Sequence, residues 1–211
     1  MDKDAMEQVI ARLEKEGYNL SSFHALELFA REGDWHTTAY ADRVKSLDAW
    51  EVELAFKEGL ARNVPQAEIK IVDSIQEIKN PAHRGKYEFI VADNPQGCYG
   101  LNNQYCEHFD VIPQACELLG DQGILIFNVN TQPYNFDKFP EWQKRRREYY
   151  GLKDASDLSL EFLLDFYQKM FERQGYTVGL SFSTLRGGYD PTGLHRLHYY
   201  YLVYALRRKK Q

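Results

Sequence analysis

The stretch Phe23–Trp50, FHALELFAREGDWHTTAYADRVKSLDAW, places acidic side chains and a glycine turn where a nucleotide could be held. His24–Phe29 reads as a buried strand, Gly33 as its turn, Asp34–Ala41 as a helix and Val44–Leu47 as a second strand ending at Asp48. A strand that enters a turn and then a helix gathers backbone N–H groups beside its carboxyl end, where open α/β sheets bind ligands. An acid closing the second strand can accept hydrogen bonds from a ribose diol, and Asp48 stands 21 positions after Glu27. A plain βαβ unit in which Gly33 only closes a turn has the same pattern. A second such place is Asp93-Asn94-Pro95-Gln96-Gly97, directly after the strand Lys86–Ala92, with Tyr99 close behind. Asn-Pro and Gly also make a turn that needs no chemistry. His195 and His198 form a His-x-x-His pair in a strand context with no third ligand in view. No metal site is expected there, because structural zinc usually takes four ligands.

The run Glu27-Leu28-Phe29-Ala30-Arg31-Glu32-Gly33 resembles the first motif of the class I S-adenosylmethionine-dependent methyltransferases. It is most similar to the branch with an acid or amide, Leu-Phe-Ala, two residues and a glycine, frequent among enzymes that methylate RNA and DNA bases. The resemblance implies that Glu27, Phe29, Ala30 and Gly33 hold the methionine end of the cofactor and that Asp48 holds its ribose. It further implies that Asp73, after a third strand Ala67–Val72, bonds the adenine amino group. By its residue type Asp73 is also a helix cap for Ile75–Ile78. Amino methyltransferases of nucleic acids carry an acid or asparagine, Pro-Pro and an aromatic after the fourth strand. Asp93 and Asn94 would therefore orient the acceptor amine and Tyr99 would stack on it. The sequence departs from the family twice. Arg31 stands where the glycine-rich form has another glycine, and Gln96-Gly97 replace proline and aromatic.

The elements that must position these residues follow from periodicity. The resemblance implies a Rossmann-like α/β fold: a mostly parallel seven-stranded sheet, helices on both faces, and an antiparallel C-terminal strand pair. An amphipathic helix over 3–16 opens the chain, with Ala5, Val9, Ile10 and Leu13 on one face. Further helices are expected over Glu51–Asn63, Gln104–Leu119 and Ser159–Gln174. After the turn Gly120–Gly123, a fifth strand should run over Ile124–Val129, and the last pair over Tyr176–Ser183 and His198–Leu206. Residues 130–158 break the α/β period and are rich in aromatics, as a substrate-side insertion would be. Those rings would stack on a flat substrate, pack a small subdomain, or form a homodimer contact.

At 211 residues the chain fits one domain, and 44% apolar with 27% charged residues is ordinary for a globular protein. No apolar run approaches the ~20 residues that span a bilayer, and the charged N-terminus lacks the apolar core of a secretion signal. Cys98, Cys106 and Cys116 have no paired close spacing. They read as free thiols in a reducing, cytoplasmic setting. A net charge of −5 argues against broad nucleic-acid affinity. Two local basic runs, Lys144–Arg147 and Arg207–Lys210, read as a solvated helix face and a frayed tail.

The resemblance implies a methyltransferase using S-adenosylmethionine, with RNA or DNA bases as substrate and a small molecule as the alternative. A third reading is a methyltransferase-like scaffold without catalysis, which Arg31 and the incomplete Asn-Pro motif support. A nicotinamide dinucleotide fits the single-glycine turn poorly.

Overall fold

Apolar side chains alternate along the strands and feed both faces of one sheet. Leu26, Trp50, Ile90, Leu125, Phe127 and Tyr204 join the core on one face, while Ala25, Leu47, Ala49, Phe89, Ile124 and Val203 join the core on the other. This period-2 alternation is what a sheet covered on both sides requires. The structure is a computed structural model and describes residues 2–93, 95–186 and 198–210.

The elements are α1 (Asp2–Lys15), β1 (His24–Glu27), β2 (Ser46–Glu51), α2 (Lys57–Asn63), β3 (Ala67–Ile71), α3 (Ser74–Glu77) and β4 (Tyr87–Ala92). A small hairpin, β5 (Cys98–Tyr99) and β6 (Tyr105–Cys106), leads to α4 (Ile112–Leu118) and β7 (Leu119–Asn130). The chain closes with α5 (Pro140–Tyr150), α6 (Leu160–Arg173), β8 (Tyr176–Leu185) and β9 (Tyr199–Arg208). The seven-stranded sheet has the order β3-β2-β1-β4-β7-β9-β8. β1 is parallel to β2 and β4, β2 to β3, and β4 to β7, whereas β9 runs antiparallel between β7 and β8. The fold expected from the resemblance is therefore the fold observed. Among the described residues, no helix is long and apolar enough to cross a membrane.

Strand order reverses between β1 and β4, and crevices at such switch points bind ligands. Leu28 N–H donates to Val91 O at 3.0 Å, so the residues leaving β1 and β4 emerge side by side.

Four local expectations are corrected. Asp34–Ala41 is not a helix: only a 3-10 turn forms over His36–Ala39. The β-branched Thr37 and Thr38 weaken a helix here, and His36, Thr37 and Tyr40 direct their side chains to Glu27. α1 fills the space instead, its Met6, Val9, Ile10 and Leu13 sharing a core with Ala39 and Tyr40. β2 does not stop at Leu47 but runs to Glu51, which delays the next helix to Lys57 and leaves Val52 and Leu54 exposed. Residues of the expected helix Gln104–Leu119 divide between β6 and the short α4. The expected turn Gly120–Gly123 lies inside β7. There a Cβ at Gly123 would meet the Glu88 carbonyl oxygen at 2.9 Å, so glycine is needed for strand approach rather than for a bend.

In the aromatic segment, Phe136, Trp142 and Tyr150 are buried and Tyr149 stacks on Phe109 at 4.0 Å. These rings join the core on one face of the sheet, and Phe139 and Tyr134 remain exposed.

Candidate functional site

A cleft runs along the carboxyl ends of the parallel strands in two adjoining cavities of about 490 Å³ and about 520 Å³. Both share Phe29, Glu51, Val52, Glu53 and Pro95. The first side continues over Asp73, Ser74 and Ile75 to the wall formed by Tyr99, Leu101 and Tyr105. The second opens onto Arg31, Trp35, Asp93, Gln96, Asn128, Arg186 and Tyr199. Each cavity lies within the 300–1,000 Å³ usual for small-molecule sites.

The carboxylate that closes β2 is Glu51. Its Oε2 accepts from Arg31 N–H at 2.7 Å and its Oε1 from Glu53 N–H at 2.7 Å. It thereby ties the turn after β1 to the residues after β2. Asp48, the acid expected for a ribose, lies three residues back in mid-strand and is away from the cleft. Its Oδ2 accepts from Lys86 Nζ at 2.6 Å and from the Tyr87 hydroxyl at 2.6 Å. The reason is register: β2 pairs with β3 through Glu51↔Ile71, so the strand end falls at Glu51.

Glu27 also lies outside the cleft. It is fully buried, and its Oε2 accepts from the Tyr40 hydroxyl at 2.6 Å, from His36 Nε2 at 2.8 Å and from the Thr37 hydroxyl at 3.4 Å. The other nitrogen of His36, Nδ1, lies 3.2 Å from Asp93 Oδ2. The imidazole thus stands between the acids that close β1 and follow β4. Burial pulls the imidazole pKa down, but the carboxylates of Glu27 and Asp93 outweigh it and leave the ring above its ordinary value. The Tyr40 and Tyr201 hydroxyls are pushed well up by burial first and then by the neighbouring acids, so they act as neutral donors. Asp93 Oδ2 further accepts from Arg186 Nε at 2.8 Å and from the Tyr201 hydroxyl at 2.7 Å. Asp93 lines the second side of the cleft, and Asn94 lies outside the described residues.

Of the other expected residues, Phe29 lines both sides of the cleft. Asp73 lines the first and also caps α3, accepting from Ile75 N–H at 2.9 Å. Tyr99 lines the same side with its hydroxyl bound to the Glu107 carbonyl at 2.9 Å. Ala30 is buried beneath the turn, and its N–H donates to the Trp50 carbonyl. Gly33 adopts φ +66°, and a Cβ there would meet Leu60 Cδ1 and Val64 Cγ2 at 2.7 Å. Its glycine is demanded by the turn and by α2 below it. Arg31 takes φ +47° where the family form has glycine, and lays its guanidinium 4.2 Å from the Trp35 ring centre. His195 lies outside the described residues.

Sequence reading missed Glu51, His36, Arg186, Tyr201 and Gln96. Glu51 was detectable as the next acid along β2. The other four come together only through strand order. Gln96 lines the second side of the cleft, and both polar atoms of its side chain are buried without a partner among the described residues.

Behind the cleft, Arg146 is fully buried and donates to Glu107 Oε1 at 2.6 Å, as does Trp142 Nε1 at 2.6 Å. Arg145 donates to the Gln104 carbonyl at 2.7 Å. Half of the Lys144–Arg147 run thus holds structure instead of offering charge to solvent. Arg207–Lys210 line a separate surface with Gln122 and Thr177, at the end of β7 remote from the cleft.

No protein-family model and no curated protein matches this sequence. Solved structures do. A candidate RNA methyltransferase from Pyrococcus horikoshii superposes with TM-score 0.59 at 13% identity, over 98% of this chain and 84% of that one. The 1,6-didemethyltoxoflavin-N1-methyltransferase of Burkholderia thailandensis, solved with bound 1,6-didemethyltoxoflavin and S-adenosylhomocysteine, gives TM-score 0.57 at 14% identity, over 99% and 80%. A candidate methyltransferase from Bacillus halodurans gives TM-score 0.57 at 13% identity, over 97% and 100%. The likeness lies in the fold: this chain has the Rossmann-like architecture of the class I methyltransferases.

Proposed function

We propose that the protein is an S-adenosylmethionine-dependent methyltransferase that methylates a nitrogen of a flat heteroaromatic acceptor. The observation that carries this reading is the two-sided cleft over the switch point, with acids on its first side and Asp93 on its second. The residues present fit the cofactor. Glu51 still has lone pairs for a ribose diol, because each of its oxygens accepts one backbone N–H. Asp73 offers an acceptor for an exocyclic amine, and Phe29 and Tyr99 offer apolar and aromatic faces. When bound, S-adenosylmethionine supplies a methyl group already activated on a sulfonium.

The protein's own work is then alignment. Arg186 and Tyr201 fix the Asp93 carboxylate through Oδ2, with His36 beside it, leaving Oδ1 outside these contacts to accept from the acceptor amine. Asn94 is proposed as its neighbour in that role and Tyr99 as a stacking face. Trp35, which is exposed, extends the aromatic surface of the second side of the cleft.

A nucleic-acid base is the acceptor that the Leu-Phe-Ala and Asp-Asn-Pro segments favour. A free heterocycle is the second reading, and the fate of the basic residues favours it: Arg146 is buried on Glu107, Arg145 is tied to the Gln104 carbonyl, and Arg207–Lys210 lie at the far end of the sheet. Transfer of labelled methyl from S-adenosylmethionine to total RNA, to DNA, or to a set of free heterocyclic amines decides between them. Label in any of the three, lost in Asp93→Ala while S-adenosylhomocysteine still binds, supports the enzyme. Failure of S-adenosylhomocysteine to bind at all refutes it and leaves the scaffold reading.

A further inference from the structure

Cys98 and Cys106 are eight positions apart in sequence, and the hairpin makes them direct cross-strand partners, with Sγ atoms 3.4 Å apart. Opposed residues in an antiparallel pair hold their Cα atoms about 4.5 or 5.5 Å apart. Both spacings lie in the window of about 4.4–6.8 Å that a disulfide spans. Cys98 is half-buried, while Cys106 and Cys116 are buried. The hairpin that carries the pair is the outer wall of the first side of the cleft, contributing Tyr99, Gly100, Leu101, Gln104 and Tyr105. Its Tyr105 hydroxyl accepts from Gln76 Nε2 on α3 at 2.8 Å, joining this wall to the segment after β3.

We propose that Cys98 and Cys106 are a reversible thiol–disulfide modification site that locks the wall of the cleft. Each strand of this hairpin is only two residues long, so the strand pairing itself holds it weakly. In the dithiol state the strands part readily and let a ligand pass. The disulfide ties them together, and ligand exchange slows.

The oxidant is a peroxide. The Cys98 thiolate attacks one peroxide oxygen, the O–O bond breaks, and Cys98 becomes a sulfenic acid as hydroxide leaves and takes up a proton. Cys106 then attacks that sulfur as its thiol proton departs, the S–S bond forms, and a second water leaves. One hydrogen peroxide is reduced to two waters and two thiols are oxidised to one disulfide. The order follows from access: Cys98 is the less buried partner, whereas burial, then Glu107 and Cys98, push the Cys106 thiol up. A dithiol reductant reverses the step by exchange.

The test treats the full chain with one equivalent of hydrogen peroxide, maps its cysteines by mass spectrometry, and measures S-adenosylhomocysteine release before and after dithiothreitol. The expected result is a Cys98–Cys106 peptide cross-link with Cys116 still a thiol, and ligand release slowed several-fold until reduction. Cys98→Ser and Cys106→Ser should both release ligand at the dithiol rate whether or not peroxide is added. Oxidation of Cys98 to sulfinic acid without a cross-link overturns the site. A cross-link that leaves release unchanged overturns its link to the cleft. The cross-link itself does not rest on the proposed function, so a chain that fails to bind S-adenosylhomocysteine yet forms it would overturn the function and keep the site.

Discussion

Replacing Glu51 should weaken cofactor binding far more than replacing Asp48. In the structure Glu51 closes β2 beside the cleft and accepts one backbone N–H on each oxygen, from Arg31 and Glu53. Asp48 is spent on Lys86 and Tyr87. A hydrogen bond to a charged group is worth about 1.5–3 kcal/mol. Loss of one ribose contact therefore costs roughly ten- to a hundred-fold in affinity, at about 1.4 kcal/mol per factor of ten. Glu51→Ala also frees the Arg31 and Glu53 N–H groups, loosening the turn that shapes the cleft, so its loss should lie toward the upper end. Glu51→Gln keeps the shape but must turn an amide NH₂ toward one of those two donors, and should fall in between. Asp48→Asn keeps an acceptor for Tyr87 and should bind within about two-fold of wild type, well below the loss of one charged bond. Calorimetric titration with S-adenosylhomocysteine on the four proteins measures this, with denaturation curves to verify that each is folded. Normal binding by a folded Glu51→Ala, together with weakened binding by Asp48→Asn, would refute the placement of the ribose acid at the end of β2.

Three further outcomes follow from the same geometry. Gly33→Ala should lose about 2–5 kcal/mol in urea denaturation, adding the left-handed conformation to overpacking against Leu60 and Val64; unchanged stability would refute the tight turn. Arg146→Met should cost about 3–5 kcal/mol by stranding buried Glu107, and adding Glu107→Gln should restore part of it; an equal or larger loss in the double variant would contradict the pairing. Because the folded pKa of His36 lies above 6.5, the stability it gives is complete below pH 6.5 and is lost as pH rises through the folded value. The gap between wild type and His36→Gln should therefore narrow from mildly acid to alkaline pH, with Glu27, Asp93, Arg186, Tyr40 and Tyr201 around the ring unchanged; a gap that widens would reverse the assignment.

The α/β period, the seven strands of the sheet and the glycine turn after β1 were legible in the sequence, because strand alternation and turn chemistry act over a few residues. Asp73 was readable as a cap for the same reason, and the structure gives it that bond. Where β2 ends was not legible. SLDAWE is one continuous strand, and its last residue is set by pairing with β1 and β3, so the acid at the cleft is Glu51 instead of Asp48. The segment after β1 has the length of a crossover helix, yet α1 covers that face while His36, Thr37 and Tyr40 solvate a buried Glu27. The sequence by itself determined the strands, the turns and the acids available to close them. Only the tertiary structure decided which acid meets the cleft, and brought His36, Asp93, Arg186 and Tyr201 together. The reason is that local propensity reaches along the chain for a few residues, whereas strand order and register bring together side chains as far apart as Asp93 and Tyr201, 108 positions away.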